Sequence, residues 1–299
     1  MTAFSNILVL GRDGQIGSAL TEQLPLTFPD ARLTATEVDE IDLTQNDSMT
    51  SAIRALKPDL IINAAAYTAV DRAESDVELA YCLNGFAPGL LAEEAKRCGA
   101  LLIHYSTDYV FDGEKTTPYI ETDSPNPLNE YGKSKRAGEI AIEQTSAAAL
   151  ILRTSWVYGL RGKNFFLTML RLAQERDELR IVNDQTGVPN ESDELAALTV
   201  SLVRKGIDFL KERSGLYHLS AGGQTTWFGF AQAIFEDMPK CPRLIPIATR
   251  EYPLPAKRPV YGVLSAQHLM NTFSLEILDW RASLMNCQQR RSLLENVRV

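Results

Sequence analysis

Cysteine is scarce in this chain. Its four copies, Cys82, Cys98, Cys241 and Cys287, lie far apart and form no Cys-x-x-Cys pair, so their spacing suggests neither a zinc site nor a disulfide framework. Histidine is scarcer still, and three histidines yield no ligand cluster along the sequence, so no metal is expected. Basic residues are outnumbered 30 to 38, and the net charge of −8 argues against a general nucleic-acid binder. Any anionic ligand must then be held locally, by helix ends or by a few Arg and Lys. The first apolar run, Ile7 to Leu10, is far too short to span a membrane, and Met1 to Asn6 lacks the basic region of a secretory signal. With no repeat and no low-complexity tract, the expectation is a cytoplasmic globular protein with reduced thiols and no membrane partner.

A length of 299 residues allows one large α/β domain or two lobes with a cleft between them. Ile7-Leu8-Val9-Leu10 is wholly apolar and β-rich, as a parallel strand buried on both faces should be. It runs into Gly11-Arg12-Asp13-Gly14-Gln15-Ile16-Gly17, and then into Ser18 to Leu24, which has helical periodicity. Strand, glycines at three-residue intervals, then helix is the context of a dinucleotide fingerprint. There the backbone turns tightly and approaches a pyrophosphate whose charge is favoured by the helix N-terminus. Gly11, Gly14, Gln15, Ile16 and Gly17 are the expected cofactor contacts.

Leu33 to Thr36 predicts the second strand, with Glu37 twenty residues after Gly17. A carboxylate there binds the adenosine ribose and favours NADH by repelling a 2′-phosphate. Arg12 pulls the other way, since a guanidinium in the glycine loop meets that phosphate, and a solvated loop carboxylate is an equal reading of Glu37. The sequence therefore leaves NADH or NADPH open. Asp42 and Leu43 are expected to close the adenine pocket, from position alone. After a predicted helix from Asp47 to Leu56, Asp59 to Asn63 is another buried strand, ending in Ala64, Ala65 and Ala66, small residues that permit close approach of a bound ligand. A long helix is expected from Glu78 through Cys98, with the polar Asn84 in its middle either a satisfied buried amide or a support for the site.

Leu101 to Ser106 predicts the fourth strand, with His104 a core histidine and Thr107 at the strand's end. Tyr131 follows 24 residues later and Lys135 four residues after that, one helical turn on. A nearby ammonium favours the ionised phenol, so the expected trio is Thr107 binding a substrate carbonyl, Tyr131 protonating it, and Lys135 lowering the phenol pKa and holding the nicotinamide ribose. Between these motifs the proline-bearing loop Thr116 to Asn129 is placed to cover a cleft. Helix Tyr131 to Gln144 precedes strand Ala149 to Arg153. Trp156 then stands at a strand end, where core packing and a rim contact to sugar or base are both open.

Asn164 to Glu178 is expected to be helical, Leu179 to Val182 a strand, Ser192 to Lys211 and Thr226 to Glu236 amphipathic helices, and Gly215 to Leu219 a strand. Thr225 or Thr226 is placed to cap the second of those helices. Arg250 to Pro259 is a rigid basic loop, in which Lys257 and Arg258 are either a solvated face or a seat for a substrate diphosphate. The fold class expected is α/β: a Rossmann-type doubly wound parallel sheet over 1–160, to which some later segments return, and a smaller α/β substrate-binding lobe over 161–299.

The glycine loop, the Ala64-Ala65-Ala66 strand end, Ser106-Thr107-Asp108-Tyr109-Val110-Phe111-Asp112-Gly113, Tyr131 with Lys135, and Arg153-Thr154-Ser155-Trp156-Val157-Tyr158 together resemble the extended short-chain dehydrogenases. Within them the block is similar to the dTDP-4-dehydrorhamnose reductase family, over nearly the whole chain. The resemblance implies hydride transfer from NADH or NADPH to C4 of dTDP-4-dehydro-β-L-rhamnose, in dTDP-rhamnose and surface-polysaccharide biosynthesis. It implies that Thr107, Tyr131 and Lys135 are catalytic and that Asp108, Trp156 and Asn164 contact substrate. Related dehydratases place a glutamate directly after the Thr-Asp pair, whereas Tyr109 stands here, which favours simple ketone reduction. Two other readings remain open: a reductase giving dTDP-6-deoxy-L-talose, and a non-catalytic NAD(P)-binding regulatory subunit. Some members of the family dimerise through magnesium held by glutamates. Ala19 stands where one of these is expected, so the expectation is a monomer or weak homodimer without metal. Gly262 stands where a serine is common.

Overall fold

The structure, a computed structural model, describes residues 4–236, 238 and 241–297. Its centre is a six-stranded sheet, all parallel. Strands β1 (Asn6–Leu10), β2 (Arg32–Thr36), β3 (Leu60–Asn63), β4 (Leu101–Thr107) and β5 (Ala149–Thr154) stand in the order 2-1-3-4-5, and Gly215–His218 pairs with β5 as the far edge. The order reverses between β1 and β3, so a crevice opens there beyond the carboxyl ends of the strands. Leu10 pairs with both Thr36 and Asn63, Asn63 with His104, and Thr107 with Thr154, which brings the residues after each strand to one edge.

β3, β4 and β5 are buried at every residue, because helices cover both faces and apolar side chains serve both. One face packs Ile7, Val9, Ile62 and Ile103 against α1 (Gln15–Thr27) and helix Ser192–Val203. The other packs Leu8, Ile61, Leu102 and Ile151 against α2 (Asn46–Leu56) and, further along the chain, against helix Ala87–Cys98. Each such aliphatic side chain contributes about 1.5–3 kcal/mol of transfer free energy when fully buried.

A second core lies around Tyr158, Phe166, Phe230 and Trp280. It joins helices Phe165–Glu175 and Trp227–Phe235 to a parallel pair, Glu178–Val182 with Arg243–Ile247. Thr226 caps the second of these helices, its hydroxyl accepting from the Gly229 amide at 3.0 Å. Among the described residues no helix is long and apolar enough to cross a membrane.

Two expected helices are broken. After a short α3 (Val70–Ala73), the stretch expected as one helix from Glu78 to Cys98 is α4 (Val77–Tyr81), then a π turn over Cys82–Phe86, then α5 (Ala87–Cys98). Pro88 has no N–H for the carbonyl of Asn84 and its ring crowds that carbonyl, and widening the turn relieves both. Ser192 to Lys211 divides at Gly206, whose φ of +89° no helix tolerates. Helix Phe165–Glu175 ends before Glu178, which opens the strand instead.

Candidate active site

A cavity of about 570 Å³ lies over the carboxyl ends of the strands. Gly11, Gly14, Gln15 and Ile16 form its floor, and Ala64, Ala65 and Ala66 its side. Gly11 has φ +83°, and a Cβ there would come within 2.7 Å of the Ala65 amide nitrogen, so the glycine loop and the alanine strand end meet backbone to backbone. Gly17 is not on the wall. A Cβ at Gly17 would strike the Gly11 carbonyl oxygen at 1.9 Å, so its role is the closeness of loop and helix.

The far end is lined by Thr36, Glu37, Val38, Ile41 and Leu43. Glu37 reaches back to accept the Asp13 amide at 2.5 Å. Asp42 lies between wall residues Ile41 and Leu43, and its Oδ1 accepts from the Thr44 amide and hydroxyl at 2.8 and 2.7 Å in a local turn. Ile41 supplies the apolar surface. Val38, Thr68, Leu83, Gly162 and Lys163 also line the cavity, and no sequence motif marked them.

Thr107 ends β4, between Ala64–Ala66 after β3 and Val157 after β5, both on the cavity wall. Its hydroxyl donates to Asp108 Oδ1 at 3.1 Å and accepts from the Tyr109 amide at 3.2 Å. α6 (Glu130–Thr145) starts at Asn129, whose side chain accepts from the Gly132 amide at 2.8 Å, and this cap sets Tyr131 in the first turn. Burial pushes the Tyr131 phenol up to about 12, with the Thr107 hydroxyl pulling it down. Tyr109 packs edge-on against it at 5.7 Å.

Lys135 lies one turn further, 3% exposed, and burial brings its amine down to about 8. Here the structure corrects an expectation. The Lys135 ammonium donates to the Tyr105 carbonyl at 2.5 Å, and the Tyr131 phenol sits above its ordinary value instead of below it. The i,i+4 spacing put both on one helix face, but β4 packed beneath that face offers the nearer acceptor.

Beneath these residues Glu139 is fully buried. It accepts from Ser106 Oγ at 2.6 Å, from Arg153 Nε and Nη2 at 2.8 and 2.7 Å, and from Arg136 Nη1 at 2.9 Å. This network pins α6 to β4 and β5. A carboxylate one turn beyond Lys135 and an arginine ending an otherwise apolar strand were its signal in the sequence. Asn84 exchanges hydrogen bonds with the Tyr67 backbone at 2.9 and 3.0 Å and donates to Ser134 Oγ at 3.1 Å, so a satisfied amide also ties the cavity side to α6. His104 is a core residue, its Nδ1 3.1 Å from Asn63 Nδ2.

Asp108 is 2% exposed, Oδ2 has no hydrogen-bond partner, and burial pushes its carboxyl up to about 7. Gly262 lies against it: a Cβ there would stand 2.5 Å from Oδ2. Trp156 is half-buried, adopts φ +42°, and stacks on Trp227 at 3.6 Å. Arg258 grips Asp71 with two bonds of 3.0 and 2.8 Å, so its guanidinium is already paired. Asn164 is a helix cap. Its Oδ1 accepts from the Leu167 amide at 3.0 Å, and its Nδ2 donates to Gln15 Oε1 at 2.8 Å and to the Gly159 and Arg161 carbonyls at 3.1 Å. Those bonds engage both ends of its side chain and tie it to the glycine loop.

Ala19 is buried in the core, and among the described residues no group of three or more His, Cys, Asp or Glu is placed to hold a metal. Glycine loop, alanine edge and carboxylate at the second strand fit a nicotinamide dinucleotide. With Thr107 and Tyr131 on the same edge, the fold defines an oxidoreductase of the short-chain dehydrogenase class.

Comparison with known proteins narrows this. The family model described as the RmlD substrate binding domain matches residues 5–292. The dTDP-4-dehydrorhamnose reductase of Burkholderia thailandensis is 45% identical, covering 94% of this chain and 97% of that protein. The same enzyme of Escherichia coli K12 is 41% identical, over 93% and 95%. A Bacillus anthracis dTDP-4-dehydrorhamnose reductase solved with NADP superposes with a TM-score of 0.90 at 32% identity, covering 97% of this chain and 100% of that one. The chain belongs to the dTDP-4-dehydrorhamnose reductase family, whose members are NAD(P)H-dependent oxidoreductases.

Proposed function

We propose that this chain reduces the C4 ketone of dTDP-4-dehydro-β-L-rhamnose to the alcohol of dTDP-L-rhamnose, with Tyr131 as proton donor. Bound NADH or NADPH supplies the hydride. Gly11, Gly14, Gln15 and Ile16 hold the pyrophosphate on backbone amides, Glu37 the adenosine ribose, and Ala64 to Ala66 the middle of the dinucleotide. Thr107 turns its one hydroxyl hydrogen from Asp108 to the ketone oxygen. Tyr131 gives that oxygen its proton, and a phenol near 12 is in the donor form throughout the neutral range. Lys135 holds the Tyr105 carbonyl, and with it the end of β4, in place beneath the phenol. In this reading Lys135 is a positioning residue that also faces the nicotinamide ribose.

Asp108 and Trp156 are assigned to the sugar. The lobe over 161–299 is assigned to substrate binding and 1–160 to the dinucleotide, the chain acting in the cytoplasm as a monomer or weak homodimer. The observation that carries the reading is the placement of Thr107 at the end of β4 and of Tyr131, packed on Tyr109, in the first turn of α6, beside the strand ends that line the glycine-loop cavity. Incubation with dTDP-4-dehydrorhamnose and each nicotinamide in turn, with the product sugar identified by NMR, tests it. No nicotinamide oxidation, or a product with the opposite C4 configuration, would refute it.

A further inference from the structure

Arg12 sits inside the glycine loop, and its neighbours Gly11 and Asp13 are on the cavity wall, yet Arg12 is not. Its guanidinium is turned outward onto Glu40, Nη1 donating to Oε2 at 2.9 Å and to the Ala35 carbonyl at 3.0 Å. Nε makes a longer contact of 3.4 Å with Asp13. Glu40 is itself held in place, because the same Oε2 accepts the Glu37 amide at 3.0 Å across the tight turn that follows β2. Glu37, on the cavity wall, in turn accepts the Asp13 amide, so a second carboxylate, Glu40, stands behind the first and the Arg12 guanidinium is latched to it. Both members of the latch are partly open to solvent, 36% for Arg12 and 47% for Glu40, so the side chain has room to move once released.

A 2′-phosphate distinguishes NADPH from NADH, and it is met at the end of the second strand by an arginine or repelled there by a carboxylate. We propose that Glu40 sets the preference between the two nicotinamides by holding Arg12 off the cavity. With Glu40 in place the adenosine end presents Glu37 and favours NADH. Without it, Arg12 swings to the mouth and takes the 2′-phosphate in a two-point contact. Glu40 is thus a specificity-determining residue that touches no part of the dinucleotide. The inference rests on the cavity being the nicotinamide site.

Equilibrium dissociation constants of NAD⁺ and NADP⁺, measured by protein fluorescence on the whole chain, test it without turnover. Glu40→Ala and Glu40→Gln should each tighten NADP⁺ by about tenfold while NAD⁺ stays within about twofold, the size of one charge-assisted phosphate contact. In Arg12→Ala/Glu40→Ala the gain should vanish. Persistence of the gain in the double variant would show that removing a negative charge, and not freeing Arg12, is the cause, and would overturn the latch. An unchanged NAD⁺ to NADP⁺ ratio in both single variants would overturn it equally. Binding of neither dinucleotide by the unaltered chain would overturn both this inference and the site it rests on.

Discussion

The ammonium of Lys135 points at the carbonyl of Tyr105, 2.5 Å away, and not at the phenol of Tyr131 one turn before it on the same helix. The tyrosine is then a weak acid held protonated by burial. On the mechanism proposed above that is the competent form in the reductive direction, because the ketone oxygen takes its proton from a positioned phenol and not from a phenolate.

Tyr131→Phe removes the proton and little else. Its turnover is expected to fall by about 10²–10⁴, the usual worth of a positioned acid, with the dinucleotide dissociation constant unchanged. Steady-state kinetics beside fluorescence titration checks this, and undiminished kcat would remove the residue from its role.

Asp108 makes stability depend on pH. Its carboxyl is pushed up to about 7 in the folded chain, so the folded state binds this proton more tightly than the unfolded one. The sign follows: stability is fully present below the unfolded value of about 4 and declines as pH rises through 7. Asp108→Asn should match the parent at pH 4 and exceed it by about 1–3 kcal/mol at pH 8. Urea melts at the two pH values measure the difference, and a pH-independent gap would contradict it.

Lys163 alone carries a positive charge among the described residues on the cavity wall. It stands beside Gly162, where a Cβ would lie 3.3 Å from Gln15 Cγ, so this stretch of chain runs against the glycine loop. Lys163→Ala is expected to weaken ADP-ribose binding by about 3–10-fold at low salt, with the deficit shrinking as ionic strength rises. Calorimetric titration at two salt concentrations decides it; equal affinity at both would place the lysine away from the phosphates.

Glu139 and Arg153 form a pair that is 0% and 1% exposed. Removing one partner strands the other in the core, so Glu139→Gln should cost about 3–5 kcal/mol in denaturant unfolding. A loss below about 1 kcal/mol would mean that Ser106 and Arg136 hold the network without the charge.

Much of this was legible from residue order. The apolar strand before Gly11, the glycine spacing and the small residues after β3 report local backbone requirements, and those requirements are written in sequence. Thr107 and Tyr131 could be paired because strand end and helix start are themselves sequence signals. What was lost depends on packing or on a competing local use. Lys135 finds its partner across a helix–sheet contact that no spacing encodes. Asp42 is followed by Thr44 in a turn of its own, and Asn164 precedes a helix by the one position that a cap needs; both local uses are readable in the sequence beside the ligand contacts expected of them. The π turn follows from Pro88, which a count of apolar periodicity does not weigh.

Gln15, in the loop on which the dinucleotide's phosphates would rest, donates to the Val157 carbonyl and accepts from Asn164, which ties the chain beyond β5 to that loop. Contacts of this kind fix the width of the cleft through folding itself, so the loss of freedom that a hinged clamp suffers on closing over a substrate falls on the assembly of the chain. Encounter should then resemble entry into a standing gap, with the order in which the two small molecules enter governed by which of them obstructs the mouth.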